Sequence, residues 1–397
     1  MTTQIVGLTH TGLGRTAEGD FLPRVLPGET VEPADPPRIV TPSTDRVKPP
    51  CRHFKSCGGC AMQHASDVFV AGWKQDVVVR ALSAQGLAPP FRPIYTSPPQ
   101  SRRRAKFSGK RTKGGALVGF HARGSGTVIA IPDCHLLTPG LMAAIPACEA
   151  LTVLAASRKS EVAMTVTDSA AGPDILVETD KPLTPDLRIA LAQFAQAHRV
   201  ARLTWNDEPV VTLVPPAQHF GLTPVVPPPG AFLQATEDGE AALRAGVDEI
   251  TQGAKRIVDL FAGVGTFAIP LSRRSEVHAV EGEAALMAAL DDGWRKGTGL
   301  KRISTETRDL YRRPLEPDEL RYDAAVIDPP RAGAEAQINR LAASDIPVIS
   351  MVSCNPVTFA RDARTLTQAG YALDWVQVVD QFRWAAHVEV VASFTRS

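Results

Sequence analysis

Four side chains that can carry acid–base or nucleophilic chemistry stand where predicted β-strands end. They are Asp259, Glu281, Asp328 and Cys354, each at the end of a run of apolar residues. The carboxyl ends of the strands in an open parallel sheet line the ligand crevice. We therefore expect these four side chains to face one site.

Cys354 is the candidate nucleophile of this site. A lone cysteine at the end of a strand is more often a small buried hydrophobic residue. Here Asn355 and Pro356 predict the start of a helix, which should lower the pKa of the neighbouring thiol, as nucleophilic attack requires. Glu389 places a carboxylate in a later β-rich run, and on its own it has the pattern of a surface residue.

A glycine-rich turn indicates a cofactor site. The segment Asp259–Gly265 reads DLFAGVG, and glycines there let the backbone pass close to a ligand at the start of a helix. Glu281 lies eighteen positions after Gly263, where a carboxylate can bind both hydroxyls of a ribose. The third glycine of a dinucleotide fingerprint is absent, which favours S-adenosylmethionine over NAD. A plain structural turn is the alternative.

Four of the six cysteines have the spacing of a metal site. Five, two and 73 residues separate the successive members Cys51, Cys57, Cys60 and Cys134. Four thiolates can hold zinc or an iron–sulfur cluster, and the spacing alone does not choose between them. Cys148 is predicted to be an ordinary core cysteine.

The second half of the chain predicts an α/β fold. From about residue 230, strand-like and helical runs alternate, which is typical of a parallel sheet with crossover helices. Two β-rich runs, 371–381 and 388–395, close the chain. The predicted strands are 256–261, 276–280, 323–327 and 347–352, and the predicted helices are 235–250, 283–296, 335–343 and 357–369.

The first half is β-rich. Residues 1–33 alternate apolar and polar with glycine turns, which predicts a small β-barrel, and a proline-rich linker follows. Residues 61–88 are predicted to be helical, and residues 103–131 to form strands and hairpins. A second proline cluster at 224–230 indicates a domain boundary.

The charges of this 397-residue chain nearly cancel, to +1, but they are unevenly distributed. Between Asp76 and Asp133 there is no acidic residue, whereas this interval holds ten Lys or Arg. Such a cluster indicates phosphate binding, and a solvated surface hairpin is the alternative. The seven that cluster most closely are Arg102, Arg103, Arg104, Lys106, Lys110, Arg111 and Lys113.

The N-terminal segment has no pattern of a signal peptide, and no run of about 18 apolar residues occurs. We therefore expect a cytoplasmic protein that has no membrane attachment. We expect it to act as a monomer.

Four motifs resemble, in order and approximate spacing, those of the bacterial RNA 5-methyluridine methyltransferases. They are DLFAGVGTF, VIDPPRAG, SCNPVTFARD and the terminal HVE, and the resemblance covers residues 230–397. It implies S-adenosylmethionine-dependent methylation of C5 of a uridine in RNA, with Cys354 as nucleophile and Glu389 as the base. With the glycines of the turn, the expected cofactor contacts are Gln234, Phe261, Gly263, Gly265, Thr266, Glu281, Asp309 and Asp328.

This chemistry accounts for the thiol and the carboxylate. C5 of uracil is a poor nucleophile, and a thiolate that adds to C6 makes the ring an enolate whose C5 attacks a sulfonium methyl. A base must then remove the C5 proton so that the thiolate can leave. The uridine must be unpaired and flipped, because C5, C6 and the thiolate cannot meet inside a stacked helix.

Within the motifs, three positions depart from the usual residues of the family. The family usually has Cys where this chain has Ala262, and Asn where it has Thr236 and Thr266. The hydroxyl of Thr266 can still donate one hydrogen bond, so the departures leave the cofactor unchanged and alter individual contacts.

The four cysteines, with CGGC at 57–60, resemble the 4Fe–4S site of the ribosomal members of this family. That favours an iron–sulfur cluster over zinc, and ribosomal RNA over transfer RNA. LPGET at 26–30 resembles the start of a TRAM barrel, which is of the OB type. The resemblance implies a short TRAM-like β-barrel with its linker at 1–48, a β-rich central domain with the cluster and a basic RNA-binding segment at 49–230, and a Rossmann-like class I methyltransferase domain at 231–397.

Three other functions stay open at this point. A transfer-RNA uridine-5-methyltransferase would use the same motifs. A small-molecule or protein methyltransferase can share the fold, but it leaves Cys354, Glu389 and the basic run unexplained. A non-enzymatic iron–sulfur RNA-binding protein would show no turnover.

Overall fold

The computed structural model describes residues 2–396, and its first sheet has five short strands. These are β1 (Thr3–Leu8), β2 (Gly14–Thr16), β3 (Phe21–Leu22), β4 (Thr30–Glu32) and β5 (Arg38–Thr41). They pair antiparallel in the order β3-β2-β1-β4-β5 around a small core of Ile5, Val25 and Val31. The last strand lies inside the segment predicted to be a proline-rich linker.

A helix and a two-residue strand, α1 (Asp67–Ser83) and β6 (Tyr95–Thr96), lead into a seven-stranded sheet. Its elements are β7 (Arg104–Arg111), β8 (Ala116–His121), β9 (Val128–Ala130), α2 (Pro139–Ala155), β10 (Glu161–Thr167), β11 (Asp174–Glu178), α3 (Pro185–Ala197), β12 (Arg202–Trp205) and β13 (Glu208–Thr212). The strand order is β13-β12-β11-β10-β7-β8-β9, and residues of both helices join the core of this sheet.

The sequence pattern did not predict α2. Its residues include Leu141, Ile145, Cys148 and Leu151, all buried, and its polar residues form no continuous face. A helix that is apolar on most sides carries no periodic signal, which explains the omission. Cys148 is fully buried in this core, as predicted.

A two-stranded hairpin, β14 (Gln218–Phe220) and β15 (Thr223–Val225), precedes the α/β part of the chain. The elements that follow are α4 (Glu237–Ile250), β16 (Arg256–Leu260), α5 (Ala268–Leu271), β17 (Glu276–Glu281), α6 (Ala284–Lys296), β18 (Ile303–Thr307), β19 (Ala324–Ile327), α7 (Glu335–Ala342), β20 (Val348–Ser353), α8 (Pro356–Gln368), β21 (Ala372–Asp380) and β22 (Glu389–Thr395). The predicted alternation of strands and helices is therefore confirmed. Strand β18 was not predicted, and α5 is the short helix that the glycine turn was expected to start.

Strands β16–β22, together with β6, form an eight-stranded sheet in the order β18-β17-β16-β19-β20-β22-β21-β6. The first five are parallel, and β22 is antiparallel to both β20 and β21. Helices α1, α7 and α8 cover one face, and α4, α5 and α6 cover the other. The chain reverses its direction across the sheet between β16 and β19, and ligands bind outside the carboxyl ends of the strands at such a point.

The structure also gives the length and the composition of each helix. Among the described helices, none combines the length and the apolar character that crossing a lipid bilayer requires.

Candidate active site

A cavity of ≈850 Å³ opens at the carboxyl ends of β16, β17, β19 and β20. Of the ten residues predicted for catalysis or cofactor binding, Gly265 alone does not line it. The nine residues that line it are Gln234, Phe261, Gly263, Thr266, Glu281, Asp309, Asp328, Cys354 and Glu389. The fold thus brings the predicted cofactor loop, the thiol and the base to one place.

The glycine turn after β16 leaves the sheet sharply. Phe261 has a φ of 61° and Gly263 a φ of 56°, both in the left-handed region. Gly265 has a φ of 95°, and a Cβ there would lie 2.9 Å from Leu290 Cγ. Gly265 therefore serves the packing behind the turn, which explains its absence from the cavity wall.

Glu281 is held in place by the same turn. Its Oε2 accepts a hydrogen bond from the backbone N–H of Gly263 at 3.1 Å, and its Oε1 accepts one from Gly282 at 2.6 Å. A carboxylate fixed at the end of β17 suits the two hydroxyls of a ribose. The rings of Phe261 and Tyr311, 5.5 Å apart, give the cavity an aromatic wall. These residues fit S-adenosylmethionine.

Asp259 does not face the cavity, contrary to the prediction that all four strand-end side chains would do so. Its side chain is fully buried, and neither carboxylate oxygen has a hydrogen-bond partner among the described residues. Asp259 is the last but one residue of β16, one position short of the strand end, so its side chain stays within the packed sheet. Burial, followed by the charge of Asp328, raises the pKa of Asp259 well above its usual value.

Asp328 directly follows β19 and is fixed by proline on its other side. Its Oδ2 accepts a hydrogen bond from Gln234 Nε2 at 3.3 Å. Burial raises the pKa of Asp328 to about 7, and the hydrogen bond from Gln234 opposes that rise. Near neutral pH this carboxyl can therefore both accept and release a proton.

Cys354 lies between β20 and α8, where Asn355 caps the helix by accepting from the Val357 N–H at 3.1 Å. The predicted lowering of the thiol pKa is wrong. Burial, then the charges of Glu389 and Asp328, raise the pKa of Cys354 to about 12. The cap side chain already satisfies a donor of the helix N-terminus, and burial of the thiol is the largest cause of the raised pKa. The resting thiol is neutral.

Glu389 is the first residue of β22 and is only 2% exposed. Its sequence pattern alone resembled that of a surface residue, and the structure contradicts that pattern. Burial and the charge of Asp328 raise its pKa well above the usual value, while Arg331 acts in the opposite direction. A buried carboxyl with a raised pKa is a good proton acceptor for an acidic carbon.

Three further residues of the cavity wall were not predicted as site residues. Arg331 Nη2 lies 2.8 Å from His387 Nδ1, and the ring of Phe382 meets that of His387 edge-on. Arg331 and His387 stand inside the VIDPPRAG and HVE motifs, beside residues that the sequence did single out. Their place in those motifs was the available signal.

A second cavity of ≈920 Å³ reaches Cys354 from the other side. One wall is formed by residues 6–11 and Arg15 of the first sheet, and the other by α1, with Arg80, and by the start of α8. Arg331 and His387 line both cavities. Within the described chain no acidic side chain lines this second cavity, which we call the barrel cleft.

The basic run divides into buried and exposed members. Arg103 is 7% exposed and pairs with the fully buried Glu240. Arg104 donates to the carbonyl of Gly230 at 2.9 Å, and Arg102 lines the catalytic cavity. These three arginines do not form a solvated hairpin, because they stand at the start of β7, buried or half-buried, and Arg103 and Arg104 bond to residues 230–240. The exposed members are Lys106, Lys110, Arg111 and Lys113.

The four predicted metal ligands meet at one place. Cys51, Cys57, Cys60 and Cys134 line a single cavity of ≈20 Å³, room for about one water molecule. Among residues 2–396, no group of three or more His, Cys, Asp or Glu side chains is arranged to hold a metal ion. The donor set of four thiols fits a zinc ion or an iron–sulfur cluster.

The chain is similar to several known proteins. The family model described as tRNA (Uracil-5-)-methyltransferase matches residues 230–396. An uncharacterized RNA methyltransferase of Mesorhizobium japonicum is 42% identical, over 98% of this chain and 96% of its own length. A 23S rRNA (uracil(1939)-C(5))-methyltransferase of Chromohalobacter salexigens is 32% identical, over 98% of this chain and 88% of its own.

A solved structure shares the whole fold. The crystal structure of Pyrococcus abyssi tRNA (uracil-54, C5)-methyltransferase with S-adenosyl-L-homocysteine covers 100% of this chain and 99% of its own. Its TM-score is 0.75 at 22% sequence identity, which shows a common architecture. With the family match and the full-length relatives, it follows that this chain belongs to the family of S-adenosylmethionine-dependent RNA (uracil-5-)-methyltransferases.

Proposed function

We propose that this protein methylates C5 of one uridine in 23S ribosomal RNA through a covalent bond between Cys354 Sγ and C6 of the base. The observation that carries the proposal is that Cys354, Glu389 and the glycine turn line one cavity. Bound S-adenosylmethionine supplies the methyl group. A methyltransferase that acts on an oxygen or nitrogen atom needs no thiol beside the cofactor.

Two protons must be moved, and the cavity offers an acceptor for each. The neutral thiol of Cys354 gives its proton to Asp328, whose pKa of about 7 leaves much of it ionised, as the S–C6 bond forms. After C5 has gained the methyl group, Glu389 takes the C5 proton. The electrons of that C–H bond restore the C5–C6 double bond, and the sulfur leaves.

The 23S substrate is supported by the name of the Chromohalobacter salexigens relative, which covers nearly the whole chain. Transfer RNA is the second candidate, because the family description and the Pyrococcus abyssi structure name it. Mapping 5-methyluridine in 23S RNA and in transfer RNA of a deletion strain distinguishes the two. We expect loss at one 23S position, restored by the wild-type gene and not by a Cys354→Ala gene; loss in transfer RNA alone would assign the other substrate.

The barrel cleft supports a path for the RNA strand that flanks the target uridine. Arg15 and Arg80, from separate elements, line it with Arg331, and it opens onto Cys354. A strand of phosphates can lie between these arginines while its flipped base enters the catalytic cavity. The first sheet would then bind RNA even though it has only five short strands.

Replacing Arg15 and Arg80 together with Gln should weaken RNA binding and flatten its salt dependence. Each lost phosphate contact should lower the slope of log affinity against log salt by about 0.7 to 0.9. Fluorescence anisotropy with a labelled 23S fragment at several salt concentrations measures this.

The matched control replaces Arg38 and Arg295 with Gln, since both are exposed and neither lines the barrel cleft. This variant should keep the wild-type slope. An unchanged slope in the Arg15/Arg80 variant would remove the cleft from the RNA path. Removing Arg102, Arg103 and Arg104 together is a poorer test, because loss of Arg103 takes the closer of two ion-pair partners from the fully buried Glu240.

The four-cysteine cavity is proposed to hold a 4Fe–4S cluster with a structural role, since the uridine chemistry needs no electron. Protein purified without oxygen should be brown and contain about four irons per chain. The Cys57→Ser variant should lose iron. The Cys148→Ala variant should keep it, because Cys148 is a buried residue of α2 and not one of the four proposed ligands. Iron analysis by mass spectrometry with visible absorption reads the result, and stoichiometric zinc without iron in active protein would contradict it.

A further inference from the structure

A chain of buried hydrogen bonds runs from the N-terminus of α4 to Asp328. The backbone N–H of Thr236 donates to Gln381 Oε1 at 3.3 Å, and Gln381 Nε2 donates to Gln234 Oε1 at 2.7 Å. Gln234 Nε2 then donates to Asp328 Oδ2 at 3.3 Å. Gln381 directly follows β21, so these hydrogen bonds join the end of β21 to the start of α4 and to the end of β19.

The backbone fixes the direction of every bond in this chain. An amide side chain can present either its oxygen or its NH₂ group to a neighbour. The N–H of Thr236 can only donate, so Gln381 turns its oxygen toward it and its NH₂ group toward Gln234. Gln234 must accept with its oxygen, which leaves its NH₂ group facing Asp328. A carboxyl that faces an N–H donor is stabilised in its ionised form.

The surroundings are built to hold Gln381 in this position. Gln381 and Gln234 are each 3% exposed, and Thr236 is 1% exposed. Residue 239 is a glycine, and a Cβ there would overlap Gln381 Cγ. The Oγ1 of Thr236 accepts from the N–H of Gly239 at 3.1 Å and lies 2.8 Å from Ser97 Oγ, which fixes the first donor.

We propose that Gln381 is a positioning residue for the methylation reaction. It holds the Gln234 amide turned so that Asp328 faces an N–H donor and stays a carboxylate, ready to accept the thiol proton of Cys354. The inference rests on the proposed function, which gives Asp328 that proton. Gln381 does not line the catalytic cavity, so it acts through Gln234.

Loss of this arrangement should change the pH dependence of the reaction. The hydrogen bond from Gln234 lowers the pKa of Asp328 against the effect of burial, so losing it raises that pKa. The ionised form of Asp328 then requires a higher pH. The other titratable or charged groups that interact with Asp328 or share its cavity are Asp259, Glu281, Glu283, Asp309, Tyr311, Glu389, Cys354, Arg102, Arg331 and His387. They are the same in wild type and variant, so the difference between the two profiles reports on Gln381.

Gln381→Glu tests the proposal with full-length protein. A carboxylate at position 381 cannot donate to Gln234, so the Gln234 amide turns round and presents its oxygen to Asp328. At saturating RNA and S-adenosylmethionine, the rising limb of kcat against pH should move up by about one unit. At pH values below the midpoint of that limb, kcat of the variant should be about one tenth of the wild-type value. The reason is that a shift of one pH unit changes the ionised fraction of Asp328 about tenfold there.

Two further variants keep the test decisive if Gln381→Glu does not fold. Gln381→Leu removes the donor without adding a charge, and Gly239→Ala displaces Gln381 by overlap with its Cγ. Both should shift the limb upward, and Gly239→Ala does so on two counts, because its Cβ would also meet Thr236 Oγ1 beside the first donor of the chain. The matched control is Gln377→Glu on β21, whose amide donates to the carbonyl of Pro93 instead.

Superimposable kcat profiles for wild type and any folded variant at position 381 would overturn the role of Gln381. An equal shift in Gln377→Glu would do the same, since it would show a general charge effect. A wild-type protein that forms no 5-methyluridine would instead defeat the proposed function. The two failures are therefore distinguishable in the same set of assays.

Discussion

Replacing Cys354 with alanine is expected to abolish methyl transfer to RNA while leaving S-adenosylmethionine binding nearly unchanged. Without the sulfur, no nucleophile adds to C6 of the uracil. C5 then never gains the electron density that it needs to attack the methyl group. Cys354 lines the cavity but is not one of the expected cofactor contacts, so the cofactor residues keep their positions. Methylation is measured with labelled cofactor, and cofactor binding by calorimetry.

RNA that carries 5-fluorouridine at the target position gives the direct readout. Fluorine at C5 cannot leave as a proton, so the bond between Cys354 and C6 should persist. Wild type should migrate on a denaturing gel as a protein–RNA adduct, and Cys354→Ala should not. Cys148→Ala is the matched control and should be trapped like wild type, because Cys148 is fully buried in another core. An adduct with the Cys354→Ala variant would show that another residue is the nucleophile.

Replacing Glu389 with glutamine is expected to stall the enzyme after methyl transfer. The thiolate attack and the methyl transfer precede removal of the C5 proton, so neither step needs Glu389. The variant should accumulate methylated RNA bound to Cys354 with natural uridine. Loss of a general base costs about 10²- to 10⁴-fold, so release should be slow and not absent. Mass spectrometry of the denatured complex should show protein, RNA and one extra methyl group.

A matched control is Glu276→Gln, at the exposed start of β17 and therefore at the other end of the sheet. It should turn over normally and accumulate no adduct. A Glu389→Gln variant with wild-type turnover would assign the C5 proton to another base. A variant that never forms the adduct would show that Glu389 acts earlier, in which case it takes part in removing the proton of the thiol.

Much of the α/β part could be predicted from sequence because its signals are local. The predicted ends of β16, β19 and β20 lie within a residue or two of those in the structure. Proline after Asp328 and after Asn355 stops two strands where they should stop. Strand β18 was not predicted, because Ile303–Thr307 is polar and lies at the edge of the sheet.

The electrostatic state of the site was not predictable in the same way. The sequence around Cys354 indicated a lowered thiol pKa, and the structure gives a raised one. Burial raises it most, and the two carboxyls that add to this, Glu389 in β22 and Asp328 just after β19, lie far along the chain. Likewise, Glu389 had the pattern of a surface residue and is 2% exposed. A pKa depends on every charge and every buried surface around a group, which local periodicity does not record.

The sequence by itself determined the order of strands and helices, the glycine turn and the residues that stand at strand ends. It did so because periodicity, proline and glycine act on neighbouring residues. Only the tertiary structure decided that Arg103 pairs with Glu240 inside the protein and that Gln381 orients Gln234. It also decided that the first sheet and Cys354 share one cleft. Each of these contacts joins distant parts of the chain, and packing alone brings such parts together.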